Sequence, residues 1–572
     1  MPASNAERVL VRLEESKRRF GPGEAARAEK LIAAAGKVRF RDAQSLIRFH
    51  DALLFLRAFP QGAGVARRCN QLLSNIHQRV AELRAAGADL SAFDDESVSG
   101  IAGIEIVDTF AYEIATWLAH AYPKDVKISW ESDINSARLA NTWPRFMPLL
   151  DEDGFVEPDV PYREWLDAAR GNEPELAWLL RRFASLSLPD RAQAELYESL
   201  ELPVRWNLGQ LPASRTLARR EVGSVFHHDA PLIRRGDVAL VRELSTPLKL
   251  ETLSFRESTE IINLGREVLT VRYRGLYGMT FGVPPVYVAD VGRGTQIFLW
   301  GLPPDRRFPL RAYSSGFTLK NGVPINYLEA IALADWMEFG FNTFYAFREG
   351  ETGWVYAQVL RALRQLLGMD CVSVYPYQLG ADNEEAIESG AFWFYRKLGF
   401  RPGRPELAAL VEAEEKKIAA SPRYRTPART LRKLAAGHVF FEMPGTPRGD
   451  WDRFRTRHLG MAVLRHMARD GGDAHGFRKA CYQQLARALN VDLEDWTLDE
   501  RSAFSNFALA LNTATDLRTW TPGERSKLVQ VIRAKMAEEE WDYLRLMREH
   551  PRLRKAIIRL GSSQPAAANA AP

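Results

Sequence analysis

Ala312-Tyr313-Ser314-Ser315-Gly316-Phe317-Thr318-Leu319-Lys320-Asn321-Gly322-Val323-Pro324-Ile325-Asn326-Tyr327-Leu328-Glu329-Ala330-Ile331-Ala332-Leu333 decides the fold class. Asn321-Gly322 between two apolar runs is the strongest short-range hairpin signal, because both turn residues must take positive φ. Ala312 to Lys320 and Ile325 to Leu333 are therefore predicted strands. Upstream, Val286 to Asp290 and Thr295 to Trp300 flank Gly292-Arg293-Gly294 and read as another strand pair. Downstream, Tyr356 to Leu367 has helical spacing, Cys371 to Tyr375 is an apolar run of strand length, and Asn383 to Leu398 is helical again. Strands followed by helix, strand and helix predict a mixed α/β layout on one sheet.

Around this segment the chain reads as helical. Ser45 to Leu56, Cys69 to Leu83 and Trp165 to about Leu202 carry apolar residues at three- and four-residue intervals; Asp125 to Trp130 alternates like a short strand. Pro203 to Leu250 is irregular. Ser254 to Tyr277 is predicted as one long amphipathic helix opened by a Ser254/Glu257 capping box. The expected organisation is a mainly helical region over 1–202, a connector and long helix over 203–284, a mixed-sheet α/β domain over 285–405, a helical region over 406–561, and a disordered alanine-rich tail over 562–572.

Composition narrows the function classes. The 572 residues are 46% hydrophobic and 26% charged, ordinary globular values that exclude bulk disorder. No run reaches the ~18 apolar residues of a spanning helix, and the charged start lacks a signal peptide's apolar core, so a cytoplasmic address is expected. A net charge of +5 from 77 basic and 72 acidic residues argues against a dedicated nucleic-acid binder. Cys69, Cys371 and Cys481 are too few and scattered for a disulfide framework or zinc ribbon. Cys371 reads as core. His227-His228-Asp229 has no His or Cys cluster nearby, so no metal site is expected.

Asn383-Glu384-Glu385-Ala386-Ile387-Glu388-Ser389-Gly390-Ala391-Phe392-Trp393-Phe394-Tyr395-Arg396-Lys397-Leu398-Gly399-Phe400 resembles the end of a GNAT-superfamily N-acyltransferase, in which a helix after the fifth strand ends in Phe-Tyr-x-x-x-Gly-Phe. The preceding elements fall in the family's order when Tyr327 to Leu333 is taken as the fourth strand, Val355 to Leu367 as the central helix and Cys371 to Tyr375 as the fifth strand. The resemblance spans roughly residues 285–405 and implies acetyl-CoA or another acyl-CoA as donor, with an amine of unidentified structure as acceptor.

In the family, the loop before the central helix turns backbone N–H groups onto the coenzyme pyrophosphate. The family pattern implies Arg348, Gly350, Thr352, Gly353 and Trp354 for that role here. Glu351 stands where a middle glycine is usual and Gly350 is displaced by one, which sets a carboxylate against the pyrophosphate unless Glu351 points outward or pairs with Arg348 or Arg361. The resemblance also implies Glu329 as general base, Tyr395 as general acid and Asn383 as a contact to the pantetheine arm. An amine must lose a proton to attack a thioester, and the departing thiolate needs one. Each residue also has a plainer reading: Glu329 as a strand carboxylate, Tyr395 as packing within its aromatic run, Asn383 as a helix N-cap, and the Gly/Thr loop as a turn.

Two functions of different class follow. One is an N-acyltransferase whose helical arms shape the acceptor site or an oligomer interface. The other is a non-catalytic GNAT-like scaffold whose helical regions bind a protein or nucleic-acid partner. The basic segment Arg423 to Lys433 serves either as a phosphate clamp or as a solvated loop balanced by Glu412, Glu414 and Glu415.

Overall fold

The hairpin at Asn321-Gly322 forms as read, with φ of 49° and 78° at its two turn residues. The computed structural model describes residues 5–421 and 423–562; the tail beyond Ser562 lies outside the described residues. Three short strands make a small sheet in the N-terminal half: β1 (Glu105–Asp108), β2 (Val126–Ile128) and β3 (Val204–Asn207), in the order β1-β3-β2. β3 comes from the stretch expected to be irregular.

The main sheet has nine strands: β4 (Glu251–Thr252), β5 (Val286–Asp290), β6 (Thr295–Trp300), β7 (Ala312–Lys320), β8 (Val323–Leu333), β9 (Trp336–Thr343), β10 (Cys371–Val374), β11 (Arg401–Pro402) and β12 (Val439–Glu442). Their spatial order is β11-β12-β10-β9-β8-β7-β6-β5-β4. Every neighbouring pair is antiparallel except β9 and β10, which are parallel and joined by the Thr352–Leu367 helix. The molecule is thus a mixed α/β protein with a mostly antiparallel open sheet and helical flanks. Among the described residues, no helix is long and apolar enough to cross a membrane.

Several sequence expectations need correction. Tyr327 to Leu333 is the far half of β8 and does not lead into the central helix. β9 intervenes, turned back by the two-residue link Ala334-Asp335 with Ala334 at φ 53°. The stretch after Pro405 is not wholly helical, since Val439–Glu442 pairs with both β10 and β11. The Ser254 capping box is present, but its helix stops at Thr270. Asn383 to Leu398 is two helices, Glu384–Glu388 and Ala391–Lys397, broken at Gly390 with φ 66°. Cys69 to Leu83 is likewise split, at Ser74-Asn75.

Aromatic packing fixes the central helix on the sheet. Phe339 and Phe341 of β9 meet the Tyr356 ring at centroid distances of 5.4 and 5.2 Å. The flanking regions are anchored to the same sheet. Asn321 Nδ2 donates to the Ala58 carbonyl at 2.9 Å, and Asn321 Oδ1 accepts from Phe226 N–H at 2.8 Å. On the C-terminal side, Arg554 holds the buried Asp335 carboxylate in a two-point contact at 2.6 and 2.8 Å.

Candidate functional site

β9 and β10 are paired over Trp336–Cys371, Met337–Val372 and Glu338–Ser373, then separate as β9 continues to Thr343. A cavity of about 390 Å³ opens beside this divergence, lined in part by Glu329, Gly340, Gln378, Asn383 and Tyr395. A second cavity, of about 530 Å³, lies at the start of the Thr352–Leu367 helix and is lined by Lys17, Arg18, Arg234, Arg235, Arg348, Glu349, Gly350 and Gly353. Arg348, Thr352 and Phe394 border both, so the two spaces adjoin.

Glu329 lies on β8 opposite Gly340 of β9. It is thus one strand further from β10 than expected, but the missing side chain at Gly340 leaves its carboxylate facing the cavity. A Cβ at Gly340 would stand 2.9 Å from Gln378 Nε2. Tyr313 on β7 donates its hydroxyl proton to Glu329, and Gly278 N–H donates to the Tyr313 oxygen at 3.0 Å. Gly278 is required there, since a Cβ would come within 2.3 Å of Ser315 Cβ. Burial raises the Glu329 pKa above the usual carboxylate value, and the Tyr313 hydrogen bond pulls it partly back.

Tyr395 is buried, and its hydroxyl donates to Gln378 Oε1 at 3.1 Å. Burial pushes its pKa up, keeping the phenol protonated. Tyr395 also packs edge-on against Tyr356 and Phe400, so it fills the core while showing its hydroxyl end to the cavity. Asn383 caps the next helix, its Oδ1 accepting Ala386 N–H at 3.1 Å, and lines the same cavity.

Glu351 takes neither course expected of it. Its carboxylate is buried and turned away from the groove, onto Lys320 Nζ at 3.0 Å, Arg293 and the Ile233 N–H at 3.1 Å. Burial alone would raise its pKa, but Lys320, Arg293 and the Ile233 amide outweigh burial and hold it below the usual range. Lys320, also buried, is lowered to about 8 by desolvation, against the pull of Glu351. Arg348 pairs instead with Glu385.

With Glu351 diverted, its side chain does not cap the helix. The first amides of the helix, which have no partner within it, are left for a ligand or water. Gly353 and Thr352 border the basic cavity. Gly350 does too, but its lack of a side chain is used against Phe59, whose Cζ would lie 2.6 Å from a Cβ. Gly353 is met by the Arg235 backbone, 3.1 Å from where a Cβ would stand. Trp354 borders neither cavity; its ring lies against Lys320 at 5.8 Å.

Sequence reading missed Tyr313, Gln378, Gly340 and Arg274, all at or just behind the site. Pairing counted from the Asn321-Gly322 turn alone does not offer Tyr313 as a partner of Glu329, because the register shifts by one residue between Thr318 and Leu319. His228 lies buried between Phe59 and Phe226, and among the described residues no group of three or more His, Cys, Asp or Glu could hold a metal. In the Arg423 to Lys433 segment Arg432 pairs with Glu384, and the Tyr424 hydroxyl donates to Glu414 at 2.8 Å. Comparison with family models, curated proteins and solved structures finds no match.

Proposed function

We propose that the chain is a GNAT-like N-acyltransferase that moves an acyl group, most simply acetyl, from a coenzyme A thioester to an amine. One observation carries this reading. Glu329, Asn383 and Tyr395, on three separate elements, line one cavity beside diverging parallel strands, and that cavity adjoins a basic one at a helix start. The residues present suit a phosphate-bearing donor: Lys17, Arg18, Arg234, Arg235 and Arg348 line the helix-start cavity with Glu349 as their acidic neighbour. The carboxylate that would oppose a pyrophosphate, Glu351, is spent on Lys320 and Arg293.

The donor supplies an acyl carbonyl activated as a thioester. Glu329, poised by burial to accept a proton, takes one from the acceptor amine as its nitrogen attacks that carbonyl. The C–N bond forms and the C–S bond breaks. Tyr395 gives its hydroxyl proton to the leaving sulfur, and the proton held on Glu329 is lost to solvent as Tyr395 is reprotonated. Asn383, in the Glu329 cavity, orients the donor's arm, and Arg348, which borders both cavities, its phosphates.

Replacing Glu329 with Gln tests this assignment, since it keeps shape while removing the base. Turnover should fall by about 10²–10⁴-fold, with coenzyme affinity nearly unchanged. Equal turnover in both proteins would remove Glu329 from the mechanism.

The scaffold reading is favoured by one feature. The close approaches at Gly350 and Gly353 are taken by Phe59 and Arg235, groups of this chain, where a catalytic loop would leave them to phosphate. If the scaffold reading holds, the helix start binds no coenzyme, and purified protein carries a macromolecular partner in its place.

A further inference from the structure

Resting on the acyltransferase reading, we infer that the acceptor is an amine that also carries a carboxylate, its nitrogen at Glu329 and its carboxylate at Arg274. The 390 Å³ cavity has two arginines and two glutamates in its lining: Arg274, Arg348, Glu329 and Glu385. Arg348 and Glu385 pair with each other, and Arg348 stacks on the Tyr345 ring at 3.9 Å. That leaves Glu329 as the base and Arg274 as a cation whose own partner, Glu96, lies outside the lining. In the Arg274–Glu96 bridge Glu96 is exposed and Arg274 is half-buried. A bridge whose carboxylate end is exposed contributes little to stability, so a substrate carboxylate can replace Glu96 at small loss.

Placement supports the pairing. Arg274 follows Tyr273, which takes a positive φ of 54°, and its N–H is tied back to the Leu269 carbonyl at 3.1 Å, so the guanidinium springs from a fixed turn. Tyr327 lies within electrostatic reach of both Arg274 and Glu329 and lines the cavity with them. Its hydroxyl accepts from Asn342 Nδ2 at 2.9 Å and keeps its own proton to offer a carboxylate. A ligand bridging Arg274 and Glu329 therefore passes Tyr327.

Arg272, two residues before Arg274, belongs to a buried group of arginines. Arg57, Arg215 and Arg272 are all buried, and each has an Nε without a hydrogen-bond partner. Asp51 is the carboxylate whose charge reaches both Arg215 and Arg272, with Asp95 acting on Arg215 alone. Arg272 lies 4.1 Å over the ring of Phe344, next to the cavity residue Thr343. Buried cations in excess of their counterions favour an anion nearby.

The test is calorimetric titration of the full chain, saturated with coenzyme A, with alanine, leucine, phenylalanine and lysine. Each is set beside its decarboxylated amine: ethylamine, isopentylamine, phenethylamine and cadaverine. At least one amino acid should bind about tenfold or more tighter than its amine. Arg274→Ala should erase that difference while leaving coenzyme affinity intact, and Glu96→Gln, which frees Arg274, should tighten amino-acid binding. If the bridge were only structural, both variants would move the same way. Equal binding of the two series, or no binding of either to the coenzyme-loaded protein, overturns the inference and leaves the donor site standing. Failure of coenzyme A itself to bind overturns the acyltransferase reading, and this inference with it.

Discussion

Replacing Glu351 with Ala should destabilise the fold without touching the cavity lined by Glu329 and Tyr395. The side chain is buried and holds three donors: Lys320 Nζ, Arg293 and the Ile233 amide. Lys320 is equally buried; its ammonium otherwise meets the Arg293 carbonyl at 2.7 Å and Thr295 Oγ1 at 3.3 Å, with the rings of Phe59, Phe226 and Trp354 at 5.0, 5.6 and 5.8 Å. Deleting the carboxylate leaves that ammonium without its counter-charge, and breaking a buried pair from one side costs about 3–5 kcal/mol. At roughly 2–4 °C per kcal/mol for a cooperative unit of 150–250 residues, the midpoint falls by about 6–20 °C. Near-UV circular dichroism during heating reports it. The double variant Glu351→Leu with Lys320→Met should recover most of the loss, because the charge and its counter-charge go together. A Glu351→Ala protein within about 0.5 kcal/mol of the parent would refute the reasoning, as would a double variant no better than the single.

Three further outcomes follow from the same geometry. Tyr313→Phe removes the hydrogen bond that holds Glu329 down, so the acid limb of a kcat/KM profile should move to higher pH; a limb that stays put or moves down would disconnect Tyr313 from the base. His228 is desolvated, with Lys320 adding to the effect, and its pKa falls to about 3. Its stabilising contribution is thus complete above the unfolded value near 6.5 and is lost as pH drops toward 3, about 2 kcal/mol of it by pH 5. His228→Phe should flatten that acid slope in urea melts, and an unchanged slope would assign the acid sensitivity elsewhere. Gly278→Ala should lower stability by about 1–3 kcal/mol and also disturb Glu329, since a Cβ there strikes Ser315 and Tyr313; full stability would contradict the packing described.

The chain shows clearly which local signals survive folding. Asn321-Gly322 announced its hairpin because only residues tolerant of positive φ fit such a turn. Ser254 and Glu257 announced a helix start because the capping box is a local exchange of hydrogen bonds. The turn before β9 gave no such signal: Ala334 takes φ 53° without being glycine or asparagine, and Asp335 beside it is held by Arg554, more than 200 residues away. β12 went unseen because a four-residue strand between helices has too short a pattern to read.

The site was half legible for a related reason. β7 and β8 pair in one register near the turn and shift by one residue between Thr318 and Leu319. Without that bulge Tyr313 would lie on the face opposite Glu329, because side chains alternate along a strand. Pro324 is the trace of it in the sequence, since proline within a strand marks an edge or a bulge. The fate of Glu351 could not be read at all: its partners Lys320, Arg293 and Ile233 come from the tips of two hairpins and a loop, brought together only by the fold.

Calorimetric titration of the purified chain with acetyl-coenzyme A and with free coenzyme A decides whether the helix-start cavity takes the donor. Both should bind at micromolar concentration, weakened about tenfold or more when Arg348 and Arg235 are replaced together by Ala, with the protein still folded. No heat from folded protein at millimolar coenzyme would contradict this and leave the scaffold as the reading of this sheet.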